Sequence, residues 1–133
     1  MIDINVLVDV LQRRKPFFMS AAKLCDRVAS GGLEGFVSAH AVTTIFYVMR
    51  KCADAESAEK ALDWLLATFE IAEVGKSVLQ RARGLAFSDF EDAVIAAAAE
   101  AAKCDYVLTR NISDFAASPV PAISPSEFLS LSR

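Results

Sequence analysis

The sequence predicts an α/β fold with three layers, α/β/α, in which helices cover both faces of a central, mainly parallel sheet. Short β-like runs alternate with helical stretches along the chain, and this alternation is typical of parallel sheets. No internal repeat or linker interrupts the pattern. A chain of 133 residues is long enough to bury a core without disulfides or a structural metal, so residues 1–133 are expected to form one domain.

The first half of the chain is predicted to hold two strands and four helices. The first strand is very short, and the helix or turn after it continues until Pro16 interrupts it. Ser38 is a plausible N-cap for the helix after the second strand, along which apolar residues recur at spacings of three and four. The predicted segments are, in order, strand Met1–Asp3, helix Asn5–Gln12, helix Phe17–Ser30, strand Leu33–Val37, a helix from Ser38 to about Cys52 and a helix between Asp54 and Phe69.

The second half is predicted to hold two strands and three helices. Ser88-Asp89-Phe90-Glu91 has the S-x-x-E form of a capping box, which would open an alanine-rich helix and give Glu91 a capping role. Ser124 begins a second such motif, with Pro125 at the first helical position. The predicted segments are strand Glu70–Val74, helix Ser77–Leu85, a helix from Ser88 to about Lys103, strand Tyr106–Thr109 and a short helix after Ser124.

The composition argues against several classes of protein. A formal net charge of −3 argues against a protein that coats nucleic acid by charge, although an enzyme that holds a cation remains compatible with it. A zinc site has no plausible ligand set, because the cysteines form no CxxC pair and His40 is the single histidine. No apolar run approaches the roughly 18–20 residues that cross a bilayer, and no segment has a signal-peptide layout, so we expect no membrane contact and a cytoplasmic location.

Three acidic residues from distant parts of the chain are predicted to meet at one edge of the sheet. Asp3 lies at the end of the first strand, Asp114 lies in the loop after the last clear strand, and Asp92 lies in the first turn of the helix before that strand. Ligands collect beyond the carboxyl ends of the strands in an open parallel sheet. Oxygen ligands without histidine or cysteine suit Mg²⁺ or Mn²⁺, which would polarise a phosphodiester and activate a water molecule.

Each acid also has an ordinary structural interpretation. Asp3 can cap the following helix, Asp92 can complement a helix N-terminus, and Asp114 can form an Asx turn. Asp89 can be the N-cap itself, or its carboxylate can turn toward the cation. Spacing alone leaves these alternatives open.

Three segments resemble the sequence motifs of the PIN-domain family, and they occur in the family's order. Asp3-Ile4-Asn5-Val6-Leu7-Val8-Asp9 resembles the opening D-x-N-V-x-x-D motif. Asp92–Ala98 resembles the D-A-x-I-A-A segment, and Tyr106–Phe115 resembles the closing strand followed by T-R-N-x-x-D-F. With the α/β alternation between these motifs, the resemblance covers essentially the whole chain.

The resemblance implies a metal-dependent endoribonuclease that binds Mg²⁺ or Mn²⁺ in an acidic pocket. Small members of this family are often VapC-like toxins, usually dimeric and neutralised by a small antitoxin. RNA, an antitoxin and a second copy of the chain are therefore the implied partners. The residues that match pocket positions of the family are the acidic ligands Asp3, Asp92 and Asp114 and the polar residues Asn5, Thr109 and Asn111.

The chain departs from the family pattern at two places. Thr44 stands where many members carry a glutamate, so the site lacks one negative charge, and Asp89 is the predicted substitute as a metal ligand. Only two residues precede Asp3, which predicts either a start at an internal methionine or a short first strand. Arg110, beside the proposed pocket, is interpreted either as an RNA phosphate contact or as a surface salt bridge.

Two other functions stay open. A catalytically weakened PIN fold would bind RNA or a protein without cutting, and Thr44 is the feature that favours it. A phosphoryl-transfer enzyme would share the acidic Mg²⁺ site at the strand ends. The chain lacks a D-x-D pair after its first strand and a Gly-rich phosphate loop, which argues against this second alternative.

Overall fold

The helices and strands alternate along the chain in the computed structural model, which describes residues 1–131. The helices in this range are α1 Ile4–Leu11, α2 Phe18–Ala29, α3 Ala39–Cys52, α4 Ala55–Thr68, α5 Lys76–Arg83, α6 Phe90–Ala101 and α7 Pro125–Leu131, with a 3-10 helix at Ile112–Phe115. The strands are β1 Phe36–Ser38, β2 Glu70–Ala72, β3 Val107–Leu108 and β4 Ala122–Ile123. No helix among these residues is both long enough and apolar enough to cross a membrane.

The N-terminal segment Met1–Asp3 joins two pairs of parallel strands into one sheet. β1 pairs with β2 and β3 pairs with β4, both in parallel. The Ile2 amide donates to the Phe36 carbonyl at 2.9 Å on one side, and the Asp3 amide donates to the Leu108 carbonyl at 2.9 Å on the other. The order across the sheet is therefore β2, β1, the N-terminal segment, β3 and β4. The predicted mainly parallel sheet is confirmed.

The two faces of this sheet support two separate hydrophobic cores. Successive side chains of a strand point to opposite faces. Ile2 and Leu108 accordingly pack with α1 to α4, whereas Met1 and Val107 pack with α5 and α6. All of Ala93–Ala99 on α6 is buried, because small side chains let this helix lie close to the sheet. The predicted three-layer α/β/α arrangement is confirmed.

β1 is shorter than the predicted strand Leu33–Val37, because the end of α2 extends into that segment. Gly31 adopts a left-handed φ of +82°, which glycine tolerates without a steric cost. The amides of Gly32 and Leu33 then both donate to the Arg27 carbonyl. Leu33 is thus still part of the turn that ends the helix, and it cannot pair in the sheet at the same time.

Replacing Gly35 with alanine is expected to lower the free energy of unfolding by about 1–3 kcal/mol, the usual cost of overpacking a core. A Cβ at this position would lie 2.8 Å from both methyl carbons of Val28 and 3.0 Å from Cδ1 of Phe69. Urea denaturation measures the change. Gly84→Ala is the matched control, since its Cβ would meet nothing closer than 3.5 Å. Equal losses in the two variants would contradict the packing argument.

Candidate active site

Asp3 is held rigidly where the N-terminal segment ends and α1 begins. Its side chain is buried, its Oδ1 accepts a hydrogen bond from the Ile4 amide at 2.8 Å, and its Oδ2 accepts one from the Thr109 hydroxyl at 2.8 Å. The first bond is the N-cap interaction of α1, as the structural interpretation of this residue predicted. Burial raises the pKa of Asp3, while the hydrogen bonds from Thr109 and Ile4 oppose the rise.

Thr109 links three parts of the site, although it is itself fully buried. Its hydroxyl donates to Asp3 and accepts hydrogen bonds from the Asn111 backbone amide at 3.0 Å and from Nδ2 of Asn5 at 3.5 Å. The polar residues predicted from the motifs therefore lie around one hydroxyl group. Because Thr109 directly follows β3, this arrangement lies at the carboxyl edge of the sheet.

Two buried oxygen atoms near this edge have no hydrogen-bond partner among the described residues. They are Oδ1 of Asn5 and Oγ of Ser38. Ser38 is the N-cap residue of α3, as predicted, but its hydroxyl makes no capping hydrogen bond. Buried polar atoms are nearly always paired, so unpaired ones at a strand-end edge indicate a site for an external polar group.

Asp89, and not Ser88, is the N-cap of α6, so the predicted capping box is wrong. Oδ1 of Asp89 accepts hydrogen bonds from the amides of Glu91 at 2.8 Å and Asp92 at 3.4 Å. Asp92 consequently occupies the third position of the helix, where the motif had been expected to place Glu91. The capping alternative for Asp89 is confirmed. Its predicted role as a metal ligand stays a prediction, because one carboxylate can fill both roles through its two oxygens.

Asp92 lies at the centre of a group of carboxylates. Burial, followed by the negative charges of Asp3, Asp89, Asp114 and Glu91 in that order, raises the pKa of Asp92 to about 7. The negative charges of Glu91 and Asp89 also raise the pKa of Asp3. Asp3 and Asp114 therefore both lie close enough to Asp92 for their charges to act on it. Asp3 and Asp92 are more than 80 residues apart in the sequence.

Glu91 is the acidic residue that sequence reasoning missed. Its side chain does not cap α6 and instead approaches α3, where Oε2 lies 3.3 Å from the hydroxyl of Thr44. That hydroxyl also lies 3.2 Å from the His40 carbonyl, so its single proton is shared between two acceptors. No local pattern in the sequence indicated this contact, because the S-x-x-E motif at Ser88 predicted a capping role for Glu91.

His40 lies beside Glu91 in the first turn of α3. Both ring nitrogens are buried and have no hydrogen-bond partner within residues 1–131. Burial lowers the pKa of His40, and the negative charge of Glu91 opposes this effect. The neutral imidazole is therefore favoured, so His40 adds no positive charge that would offset the carboxylates.

Asp114 and Asn111 lie on the exposed side of the site. Asp114 is in the 3-10 helix after β3, and Asn111 is its N-cap residue. The 3-10 turn is closed by a hydrogen bond from the Asp114 amide to the Asn111 carbonyl at 3.0 Å. This turn gives Asp114 a fixed backbone and an exposed side chain, an arrangement that suits contact with a ligand arriving from solvent.

Arg110 forms an ion pair that anchors the strand end to α1. Its Nε donates to Oδ2 of Asp9 at 2.9 Å and its Nη2 donates to Oδ1 at 3.3 Å. The guanidinium carbon also lies 4.4 Å from the ring centroid of Phe17. The side chain of Asp9 is only 2% exposed, so this pair is more deeply placed than the surface salt bridge that the sequence suggested. Contact between Arg110 and RNA phosphate stays a prediction.

The acidic group suits a hydrated divalent cation. No three Asp, Glu, His or Cys side chains in residues 1–131 are placed to ligate one ion directly. Mg²⁺ usually keeps several of its waters and takes only one or two carboxylates from the protein. The oxygen-only donors and the unpaired atoms of Asn5 and Ser38 fit that pattern.

In metal-free buffer, Asp92→Asn is expected to stabilise the protein more at pH 8 than at pH 5. The folded pKa of Asp92 is raised from 3.8 to about 7, so the folded state holds a proton that the unfolded chain has lost between these values. Stability from this proton is fully present below pH 3.8 and is lost as the pH rises toward 7. The melting temperatures of both proteins in EDTA measure the effect. Asp63→Asn, which removes one exposed carboxylate from α4, is the control. A pH-independent difference would contradict the raised pKa of Asp92.

Comparisons with known proteins agree with the geometry. The family model described as PIN domain matches residues 1–113. A structure of VapBC2 from Rickettsia felis bound to a DNA fragment from their promoter is similar in fold, with a TM-score of 0.67, 18% sequence identity and coverage of 93% of this chain and 96% of that chain. A toxin–antitoxin complex from Klebsiella pneumoniae is also similar, with a TM-score of 0.66, 22% identity and coverage of 93% and 95%. No curated protein matches the sequence.

Proposed function

Because this chain belongs to the PIN-domain family, we propose that it is a metal-dependent endoribonuclease that hydrolyses RNA phosphodiester bonds. The observation that carries this proposal is the group of carboxylates around the half-buried Asp92, where burial and the neighbouring negative charges together raise the pKa of that residue to about 7. Such a group is unfavourable without a positive charge among its members. A cofactor cation would supply that positive charge and would also attract the negatively charged phosphate backbone of RNA.

The site residues have distinct roles in this proposal. Asp3, Asp92 and Asp114 would hold Mg²⁺ or Mn²⁺ directly or through water, and Asp89 would add a further carboxylate oxygen. When bound, the cation supplies charge stabilisation for the phosphodiester and lowers the pKa of a water molecule.

The polar residues around the acids fix their positions. Thr109 holds Asp3 in one orientation through the 2.8 Å hydrogen bond to Oδ2. Oδ1 of Asn5 offers a free acceptor to orient a water molecule, and Asn111 presents its side chain from the start of the 3-10 turn. Thr44 contributes no charge, and its hydroxyl places the Glu91 carboxylate at the edge of the group.

We further propose that the protein is the toxin of a toxin–antitoxin pair in the cytoplasm, with a small antitoxin as partner. Support comes from the similarity in fold to VapBC2 of Rickettsia felis and to the Klebsiella pneumoniae toxin–antitoxin complex. Self-association as a homodimer is part of the proposal. Large apolar side chains that stay exposed, such as Met19 on α2 and Leu66 on α4, favour contact with another protein surface.

Cleavage of a labelled RNA tests the nuclease function. Single-stranded and structured RNA are incubated with the purified protein in Mn²⁺, in Mg²⁺ and in EDTA. Cleavage that depends on the metal and yields internal cuts supports the proposal. RNA that stays intact under all conditions, with the protein folded and the metal bound, contradicts it.

Glu91→Gln is expected to weaken Mn²⁺ binding by roughly tenfold, the lower end of the usual effect of a residue that supports a metal site. The carboxylate of Glu91 raises the pKa values of Asp3 and Asp92, and its negative charge attracts the cation that these acids hold. Calorimetric titration with Mn²⁺ measures the change. Glu127→Gln, an exposed carboxylate on α7, is the matched control. An unchanged affinity in Glu91→Gln would exclude Glu91 from the site.

The same titration tests a second candidate function, a weakened PIN fold that binds RNA or protein without cutting. The observation that favours it is Thr44, whose neutral hydroxyl takes the place of the expected acid. No heat of Mn²⁺ binding at millimolar metal, together with retained RNA binding, would support this candidate over the nuclease.

A further inference from the structure

An open groove is lined by residues from both ends of α5 and from the start of α6. Its walls include Val74, Lys76, Leu79, Arg83 and Phe90. The cavity volume of about 590 Å³ lies within the range of small-ligand pockets, roughly 300–1,000 Å³. The lining is mostly apolar, with basic side chains on both ends of the short helix α5.

The groove and the acidic group lie along the same edge of the sheet. Val74 follows β2 at its carboxyl end, just as Asp3 ends the N-terminal segment two strands away. The first turn of α6 joins the two places, since it carries Phe90 at one side and Asp92 two residues later. Residues two apart on a helix point about 200° apart, so Phe90 faces the groove while Asp92 faces the acids.

The side chains of the groove match the chemistry of a nucleotide. Phe90 is 51% exposed and Leu79 is 41% exposed, so a flat apolar surface is open to solvent. Lys76 and Arg83 form no salt bridge with any residue of the described chain, whereas Arg81 on the same helix is paired with Glu100. An aromatic ring flanked by two unpaired cations can stack on a base while the cations contact phosphates.

We propose that this groove binds single-stranded RNA next to the position of cleavage, with one base stacked on Phe90 and adjoining phosphates on Lys76 and Arg83. This inference rests on the proposed nuclease function and extends it from the cutting site to the neighbouring nucleotides. A protein of net charge −3 needs local cations to hold a polyanion, and the groove supplies two of them beside the site. Single-stranded RNA is favoured over a duplex, because only an unpaired base exposes its face for stacking.

Binding of a fluorescently labelled, single-stranded RNA octamer tests the proposal by anisotropy. The measurements use the full chain with Asp92→Asn as a background, so that the RNA is not cut. In this background, Phe90→Ala is expected to weaken binding by about tenfold, and Phe90→Tyr is expected to retain it. Replacing Lys76 and Arg83 by glutamine is expected to reduce the slope of log K against log salt by roughly 0.7 for each cation removed.

Tyr47→Ala and Lys51→Gln provide the matched control. This pair also combines an exposed ring with a lysine, whose Nζ lies 5.5 Å from the ring centroid, but it lies on the later turns of α3. Both changes are expected to leave RNA binding unaltered. Normal binding by Phe90→Ala overturns the proposal, and so does equal binding of duplex RNA. If Phe90→Ala instead alters only self-association in analytical ultracentrifugation, the groove is an interface between copies and the RNA assignment is wrong.

Cleavage assays on the proteins that keep Asp92 distinguish a failure of the groove assignment from a failure of the proposed nuclease function. If the parent cuts RNA and Phe90→Ala cuts with unchanged KM and kcat, the groove assignment fails and the nuclease function stands. If the parent neither binds nor cuts RNA, both fail. A raised KM with a retained kcat in Phe90→Ala supports the groove, since such a change reports lost substrate binding.

Discussion

Asp92→Asn is expected to reduce metal-supported RNA cleavage by about a hundredfold or more, while the protein stays folded. The substitution keeps the size of the side chain and removes the carboxylate on which the charges of four other acids act. An amide holds a hard dication more weakly than a carboxylate does, and a change of that kind in a metal site costs orders of magnitude in rate. The rate of cleavage of a labelled RNA in Mn²⁺ measures the loss.

The stability of the same variant makes this result specific. A loss of activity caused by unfolding would lower the melting temperature, whereas relief of repulsion is expected to raise it at pH 8. Asp63→Asn on α4 should cut RNA like the parent. Cleavage by Asp92→Asn at the parental rate would remove that residue from the mechanism and would leave the acidic group without a catalytic role.

Arg110→Ala is expected to lower the free energy of unfolding by about 3–5 kcal/mol, the usual effect of leaving a buried charge without its partner. Asp9 is almost completely buried, and both of its oxygens accept hydrogen bonds from Arg110. The stacking of the guanidinium on Phe17 is lost at the same time. Urea denaturation at constant pH measures the change.

Two further variants test the explanation. Arg81→Ala breaks an ion pair of the same bidentate form, with donor–acceptor distances of 2.8 and 3.2 Å to Glu100, but this pair is exposed to solvent. Its loss is expected to cost far less stability than the loss of Arg110, because solvent screens an exposed pair. Replacing both Asp9 and Arg110 by leucine is expected to recover much of the stability lost in Arg110→Ala. Similar losses for Arg110→Ala and Arg81→Ala would show that burial does not govern the pair.

The sequence predicted the fold because its signals are local and repeated. Short β-like runs mark the strands, and Ser124 caps α7 through the Glu127 amide as its motif predicted. The position of Asp3 at a strand end and of Asp92 in the first turn of a helix followed from the same local patterns. The role of these residues in catalysis stays a prediction until the variants are measured.

Glu91 shows why part of the site could not be predicted. Ser88 and Asp89 are both good N-cap residues, and a shift of one residue turns each following side chain by about 100° around the helix. That rotation moves Glu91 from a capping position to one facing Thr44 on another helix. The choice between the two caps depends on how α6 packs against the sheet, and a four-residue motif contains no information about that packing. The groove at Phe90 escaped prediction for the same reason.

The hydrogen bonds from the end of β3 to Asp3 and to α1 have a consequence for when the site forms during synthesis of the chain. Thr109 and Arg110 contact Asp3 and Asp9, which lie 106 and 101 residues earlier in the chain. Contacts of such long sequence separation form late in folding, because the intervening chain must first be ordered. A growing chain that has not yet released Thr109 and Arg110 from the ribosome therefore lacks the fixed orientation of Asp3. In the proposed nuclease, the site is therefore incomplete until translation has passed Arg110.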